Sequence, residues 1–146
     1  MTFKARIVAV VSLLTLAATP AWAAGNVTGV SVDKPVVGFG DFLYATVSGT
    51  IMKDFFGRGC MVRVSLKYSN GTIEVVHPSF AVDSFPVTGF YLQPTKLGTV
   101  KVIADGGAPG FLGWPSCTGS AQTSVSVRIK LPPVPIGIPK PFYARP

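Results

Sequence analysis

The chain has 146 residues, of which 13% are charged, and its formal net charge is +7. This length suits one domain and is too short for two of ordinary size. The 13 Lys and Arg residues are scattered singly, without a basic run that is interleaved with aromatic residues, so their arrangement gives no support for nucleic-acid binding.

The first 23 residues have the three parts of a secretory signal peptide. Lys4 and Arg6 form a basic start, residues 7–18 are an almost unbroken apolar run, and an Ala-x-Ala sequence ends at Ala23. The apolar run is too short to cross a bilayer as a helix. We therefore predict cleavage after Ala23 and export to the periplasm or the extracellular space. Loss of Lys4 and Arg6 leaves 11 basic against six acidic residues, a net charge of about +5.

The rest of the chain alternates apolar and polar residues in short runs that are bounded by Gly, Pro, Asn and Asp, which is typical of half-buried strands. The predicted extended segments are residues 27–32, 42–51, 60–68, 73–77, 85–93, 99–104 and 124–131.

The third of these segments has the clearest two-sided pattern. Its inward row consists of Cys60, Val62, Val64, Leu66 and Tyr68, and its outward row of Met61, Arg63, Ser65 and Lys67. Asn70 and Gly71 follow it, and both residue types tolerate the positive φ of a tight hairpin turn. We therefore expect residues 73–77 to return antiparallel to residues 60–68.

About seven strands in about 105 residues predict an all-β fold, namely a two-sheet antiparallel sandwich. Outside the signal peptide no apolar segment has a helical period. After Leu131 the composition changes, because six of the last fifteen residues are Pro. Residues 132–146 are predicted to form an extended tail, which is either a terminus without contacts or an arm that docks on a neighbouring subunit or on the cell envelope.

Several short motifs occur in an order that is typical of a known family. They are Gly59-Cys60, the turn that contains Ser69-Asn70-Gly71, Phe85-Pro86 with Phe90-Tyr91, Leu97-Gly98 at the start of a predicted strand, and Cys117-Thr118-Gly119. This order resembles the PKD-like branch of immunoglobulin-like sandwiches in bacterial exported proteins. The family's turn has Gly-Asp-Gly where this chain has Ser69-Asn70-Gly71, and Val100 replaces a strand Tyr. The resemblance covers roughly residues 27–130 and implies a binding or spacer module without catalysis. We predict a PKD-like or immunoglobulin-like domain over residues 24–131.

Cys60 and Cys117 are the only two cysteines of the chain. Neither belongs to a Cys-x-x-Cys motif, and His77 is the one histidine that could join them in binding a metal. In an oxidising compartment we expect a structural disulfide between them. Two buried free thiols, or a redox or metal role, are the alternatives.

A disulfide would bring the loops that precede the two cysteines to one end of the sandwich. Loops at such an end often carry recognition, and large exposed apolar patches mark contact sites. We predict that this end contacts a protein or a glycan. The alternative is that the same side chains fold back and cap the open end of the core. The candidate contact residues are Phe55, Phe56, Phe111, Leu112 and Trp114.

No residue pattern indicates a catalytic, metal or cofactor site. His77 precedes Pro78 and is predicted to lie in a surface turn, and the six acidic residues are isolated in sequence. A calcium-binding Asp-x-Asp pattern, a phosphate-binding glycine loop and a Gly-x-Ser-x-Gly elbow are all missing from the sequence. The sequence therefore predicts a non-catalytic module at the cell envelope, with a surface-fibre subunit as the alternative and an exported enzyme or enzyme inhibitor as the third possibility.

Overall fold

The computed structural model describes residues 25–53, 56–108, 113–133 and 137, and across these residues it has eight strands and no helix. The strands are β1 Gly25–Val32, β2 Val36–Gly38, β3 Leu43–Ile51, β4 Cys60–Tyr68, β5 Ile73–Val82, β6 Val87–Leu92, β7 Gly98–Asp105 and β8 Ser120–Arg128. The predicted signal peptide and most of the Pro-rich tail lie outside the described residues. None of the described segments is a helix that is long and apolar enough to cross a membrane.

The strands form two sheets, one in the order β1-β3-β6 and one in the order β2-β8-β7-β4-β5. Neighbouring strands are antiparallel except for β2, which runs parallel to β8. In immunoglobulin terms, β1, β3 and β6 take the places of strands A, B and E, and β4, β7 and β8 those of C, F and G. The predicted all-β, two-sheet immunoglobulin-like sandwich is confirmed. The sequence pattern missed β2 and its parallel pairing.

The core lies between the sheets and consists of alternate residues from the central strands. Removal of this apolar surface from water is the main stabilising contribution to the fold. Fully buried core residues include Leu43, Ala45 and Val47 of β3, Val62, Val64 and Leu66 of β4, Val100, Val102 and Ala104 of β7, and Val125 and Val127 of β8.

The predicted outward row of β4 is wrong at two positions, because Met61 and Ser65 are also buried. The segment before β8 covers Met61, whose N–H donates to the Pro115 carbonyl at 2.9 Å. Ser65 lies between Val75 of β5 and Ile103 of β7, its register partners on the two sides. Because β4 has a neighbour on each side, its outer face is more covered than an alternating pattern suggests.

Strand β5 continues through Pro78 to Val82, beyond the predicted end at His77. It pairs only with β4, and a sheet edge tolerates Pro because no N–H is needed on its outer side. His77 therefore lies within a strand, and the prediction of a surface turn is wrong. Its ring is partly buried and contacts Phe90 and Tyr91 at centroid distances of 5.3 and 5.9 Å.

Candidate functional site

A disulfide joins Cys60 and Cys117, and it confirms the pairing that the sequence predicted. The two α-carbons lie 4.9 Å apart, within the usual range for a disulfide, and both side chains are buried. Cys60 is the first residue of β4, and Cys117 lies in the segment that leads into β8.

The segment around Cys117 is hydrogen-bonded to both sheets. On one side the Cys117 N–H donates to the Met61 carbonyl at 3.0 Å, which connects it to β4. On the other side the Thr118 N–H donates to the Gly25 carbonyl and the Val27 N–H donates to the Thr118 carbonyl, both at 2.8 Å, which connects it to β1. The disulfide and these hydrogen bonds therefore fix the end of the sandwich to which the loops before Cys60 and Cys117 lead.

The structure describes two of the five predicted contact residues, Phe56 and Trp114. Phe55, Phe111 and Leu112 lie outside the described residues. The Phe56 side chain is 75% exposed, and the guanidinium carbon of Arg58 lies 4.9 Å from the centre of its ring. This distance is in the range of a cation–π interaction, which restrains the exposed ring.

The loops before the two cysteines meet through Arg58. A Cβ added to Gly113 would lie 2.6 Å from Nη1 of Arg58, so the guanidinium group lies directly against the backbone of the second loop. Trp114, the next residue, is partly buried. The structure thus brings Phe56 and Arg58 to the same end as Gly113 and Trp114. The contact with a partner remains a prediction.

Sequence reasoning missed a second group of aromatic residues, on the outer face of the three-stranded sheet. Tyr44 of β3 and Tyr91 of β6 are register partners, and the ring of Phe42 contacts Tyr91 edge-on at a centroid distance of 6.1 Å. All three side chains are about half exposed. The alternation of Phe42 and Tyr44 with the buried Leu43 was a signal for outward rings, but their neighbours depend on a register that the sequence does not reveal.

Charged residues of the sandwich form local ion pairs. Arg63 of β4 and Asp105 of β7 are register partners and form a salt bridge. Partial burial of Asp105 acts to raise its pKa, but the hydrogen bond from the Gly107 N–H and the adjacent Arg63 outweigh this effect, so the pKa lies below its ordinary value. Within the described part of the chain, no three His, Cys, Asp or Glu side chains are placed to hold a metal ion together.

Comparison with known proteins gives similarity at the level of solved structures. No family model matches the sequence, and no curated protein matches it. The solution NMR structure of the CARDB domain of a Pyrococcus furiosus protein is 20% identical with a TM-score of 0.39, and the match covers 73% of this chain and 96% of that domain. The crystal structure of the same CARDB domain, in complex with di-metal ions, is 16% identical with a TM-score of 0.35, and the match covers 75% of this chain and 98% of that domain.

Proposed function

We propose that the protein is an exported, non-catalytic binding module, and that its disulfide end contacts a protein or glycan partner at the cell envelope. The observation that carries this proposal is the exposed Phe56 ring. It contacts the guanidinium group of Arg58 at the end of the sandwich that the Cys60–Cys117 disulfide fixes. Aromatic residues, including Phe, and Arg are enriched in protein interfaces relative to the rest of the surface. A restrained side chain also loses less conformational entropy when a partner binds.

Two features support export. The predicted signal peptide directs the chain out of the cytoplasm, and structural disulfides persist mainly in oxidising compartments. The proposal thus includes a signal peptide over residues 1–23, a sandwich domain over residues 24–131 and a Pro-rich tail over residues 132–146.

The test compares three forms of the mature chain in pull-downs from the producing cell's own envelope fraction, namely wild type, F56A and F39A. Phe39 is a matched control because it is also an exposed Phe, at the opposite end of the sandwich, where its N–H donates to the Arg128 carbonyl. We expect F56A to lose a partner that wild type and F39A both retain, with the melting temperature unchanged. Equal capture of that partner by all three forms would refute a role for Phe56.

The capping alternative predicts a different result for the same end. If Phe56 and Trp114 serve mainly as a cover for the core, F56A and W114A lower the melting temperature markedly, and capture of the partner by the folded variants is unaffected. Thermal unfolding of F56A, W114A and F39A beside the pull-down therefore separates a contact surface from a cap.

A surface-fibre subunit is the second candidate, and the sheet edges favour it. Among the described residues, β5 pairs only with β4 and β6 pairs only with β3, so both are edge strands to which a further strand is able to add, although the His77 ring of β5 contacts the Tyr91 carbonyl of β6 at 3.2 Å. Pro78 and the irregular register between β4 and β5 interrupt the first of these edges. Size-exclusion chromatography with light scattering at increasing concentration tests this role, since a simple binding module stays monomeric. Removal of residues 132–146 then tests whether any association requires the tail.

A further inference from the structure

Positive charge is concentrated at the end of the molecule opposite the disulfide, on the outer face of the five-stranded sheet. Lys67 near the end of β4 and Lys101 of β7 are direct register partners. Both side chains are exposed. Side chains that are directly opposed on antiparallel strands have Cβ atoms about 5 Å apart, so two cationic side chains start from one small area of the sheet.

A shallow groove of about 280 Å³ lies between these lysines. Its lining surface is mostly apolar and also includes Tyr68 of β4, Ser69 and Gly71 of the turn after β4, and Thr99 of β7. The groove therefore combines two cationic donors with two hydroxyl groups, and hydroxyl and ammonium groups both donate hydrogen bonds to the oxygens of an anion.

Neither lysine has an acidic partner among the residues that the structure describes. On β7 the acidic residue of this face is Asp105, which is four residues and about 13 Å away along the strand, and which is paired with Arg63. Glu74 of β5 is the register partner of the inward-facing Leu66, and its Oε2 accepts a hydrogen bond from the Tyr68 hydroxyl at 2.6 Å. The positive charge of the groove is thus not neutralised by these carboxylates.

Two further cationic side chains lie near residues of the groove lining. Arg128 of β8 donates from Nε to the Ser126 hydroxyl at 3.3 Å, and Ser126 is the register partner of Thr99. The Lys96 ammonium group donates to the Thr72 hydroxyl at 3.3 Å and lies 5.1 Å from the centre of the Tyr68 ring. The positive area therefore extends beyond the central pair.

Like charges directly opposite each other destabilise a sheet. The pairing of Lys67 with Lys101 therefore weakens the fold when the groove is empty, whereas a bound anion would remove the repulsion. Lysine is a common phosphate ligand, acting as a point charge. A tetrahedral anion with two negative charges would match two ammonium groups.

We propose that Lys67 and Lys101 bind a phosphate group, with the hydroxyls of Ser69 and Thr99 as additional donors. The group is either the free ion or part of a polymer at the cell envelope. This site lies at the end opposite Phe56 and is independent of the function proposed for the disulfide end.

The test is an NMR titration of the ¹⁵N-labelled protein with inorganic phosphate, at an ionic strength held constant with sodium chloride. We expect saturable amide shifts confined to residues 67–72 and 99–101. The K67Q/K101Q variant is expected to bind about tenfold more weakly or worse, since it loses two charge-assisted hydrogen bonds. The control is K53Q, because Lys53 is an exposed lysine beyond β3 at the disulfide end, and it should bind as wild type does.

Thermal unfolding provides a second readout, because a variant that merely folds poorly would melt below wild type, whereas the proposal expects it to melt above. Without phosphate at low salt, K67Q/K101Q should melt above wild type, because the repulsion is gone. Phosphate should raise the melting temperature of wild type and of K53Q, but not of K67Q/K101Q. The proposal would be overturned if the amide shifts do not saturate or if chloride reproduces them. It would also be overturned if K53Q loses the shifts as fully as K67Q/K101Q does.

A parallel titration with polyphosphate distinguishes the two sources of the group. A polymer-borne phosphate predicts saturation at a lower phosphate concentration and further shifts at Arg128, because a chain reaches the adjacent cationic groups. If the ligand is the free ion, polyphosphate should bind equally or more weakly at the same concentration of phosphate groups, and its shifts should be confined to the groove. Either result supports the site, whereas binding of neither probe refutes it.

Discussion

The disulfide between Cys60 and Cys117 ties the first residue of β4 to a segment that is hydrogen-bonded to both sheets. Without that bond, the segment would depend on a few backbone hydrogen bonds to Met61, Gly25 and Val27. The bond thus ties β4 to a segment that is also hydrogen-bonded to β1, and together they link the two layers of the sandwich at one end.

Removal of the disulfide should cost a large share of the stability of the fold. The two cysteines are 57 positions apart, and the loss of loop-closure entropy for such a loop corresponds to about 4 kcal/mol. A domain of this size has a net free energy of unfolding of about 5–15 kcal/mol. We therefore expect C60A/C117A to unfold at a much lower urea concentration than wild type. A loss below about 1 kcal/mol would show that the native hydrogen bonds alone fix this segment.

Much of the fold could be predicted because its central strands have regular apolar alternation. The inward rows of β3, β4 and β7, and Val125 and Val127 of β8, follow from burial on one face. The predicted continuation of the last strand to residue 131 is wrong, because β8 ends at Arg128 and both Ile129 and Leu131 are exposed. Strand β2 could not be predicted, because three residues are too few to show a period. The end of β5 was misplaced because His77 and Pro78 are typical of a turn, and only the edge position of the strand makes this Pro acceptable.

The candidate sites were less predictable because they depend on pairing. Two cysteines allow one intramolecular bond, so the disulfide followed from the composition and the predicted compartment. The Tyr44–Tyr91 pair depends on a register that a bulge shifts between β3 and β6. The Lys67–Lys101 pair lies between β4 and β7, which pair without a register shift, and it depends on the choice of β7 as the neighbour of β4 and on their alignment. The shift between β3 and β6 falls at Gly89, whose φ is 99°, and a Gly inside a strand is a signal for a bulge that the sequence interpretation did not use.

Gly59, just before β4, is predicted to be intolerant of any side chain. An added Cβ would lie 1.9 Å from the carbonyl oxygen of Val82, and this contact cannot be relieved by rotation of a side chain. We expect G59A to lower the free energy of unfolding by about 1–3 kcal/mol or more. G29A is the control, because a Cβ there meets Ser48 at an ordinary 3.5 Å, and it should change stability by about 0.5 kcal/mol or less. Equal effects of G59A and G29A in urea unfolding would contradict the close approach.

The Arg63–Asp105 pair predicts a dependence of stability on pH. Because the pKa of Asp105 is lowered in the folded state, its ionised form stabilises the fold above the unfolded-state pKa, and this stabilisation is lost as the pH falls through the folded-state pKa. We expect D105N to be less stable than wild type at neutral pH, with a difference that shrinks from about pH 5 downward. Urea unfolding of both proteins over this pH range measures the difference. A difference that is constant with pH would mean that the ion pair contributes nothing through the ionisation of Asp105.

Tyr68 is predicted to hold the end of β4 to the loop before β7. Its side chain is 4% exposed, and its hydroxyl donates to Glu74 at 2.6 Å and accepts from the Thr95 N–H at 3.1 Å. In Y68F both partners lose this hydrogen bond, and because Thr95 is exposed and Glu74 is only partly buried, the expected cost is that of a lost hydrogen bond, about 0.5–1.5 kcal/mol. Y44F is the matched control, since Tyr44 is half exposed on an outer face and the same loss of a hydroxyl should cost about 0.5 kcal/mol or less. Because the Thr95 N–H loses its acceptor, Y68F should also speed hydrogen exchange of the Thr95 amide, whereas Y44F should not. Unchanged exchange at Thr95 with full stability would show that water replaces the tyrosine hydroxyl without cost.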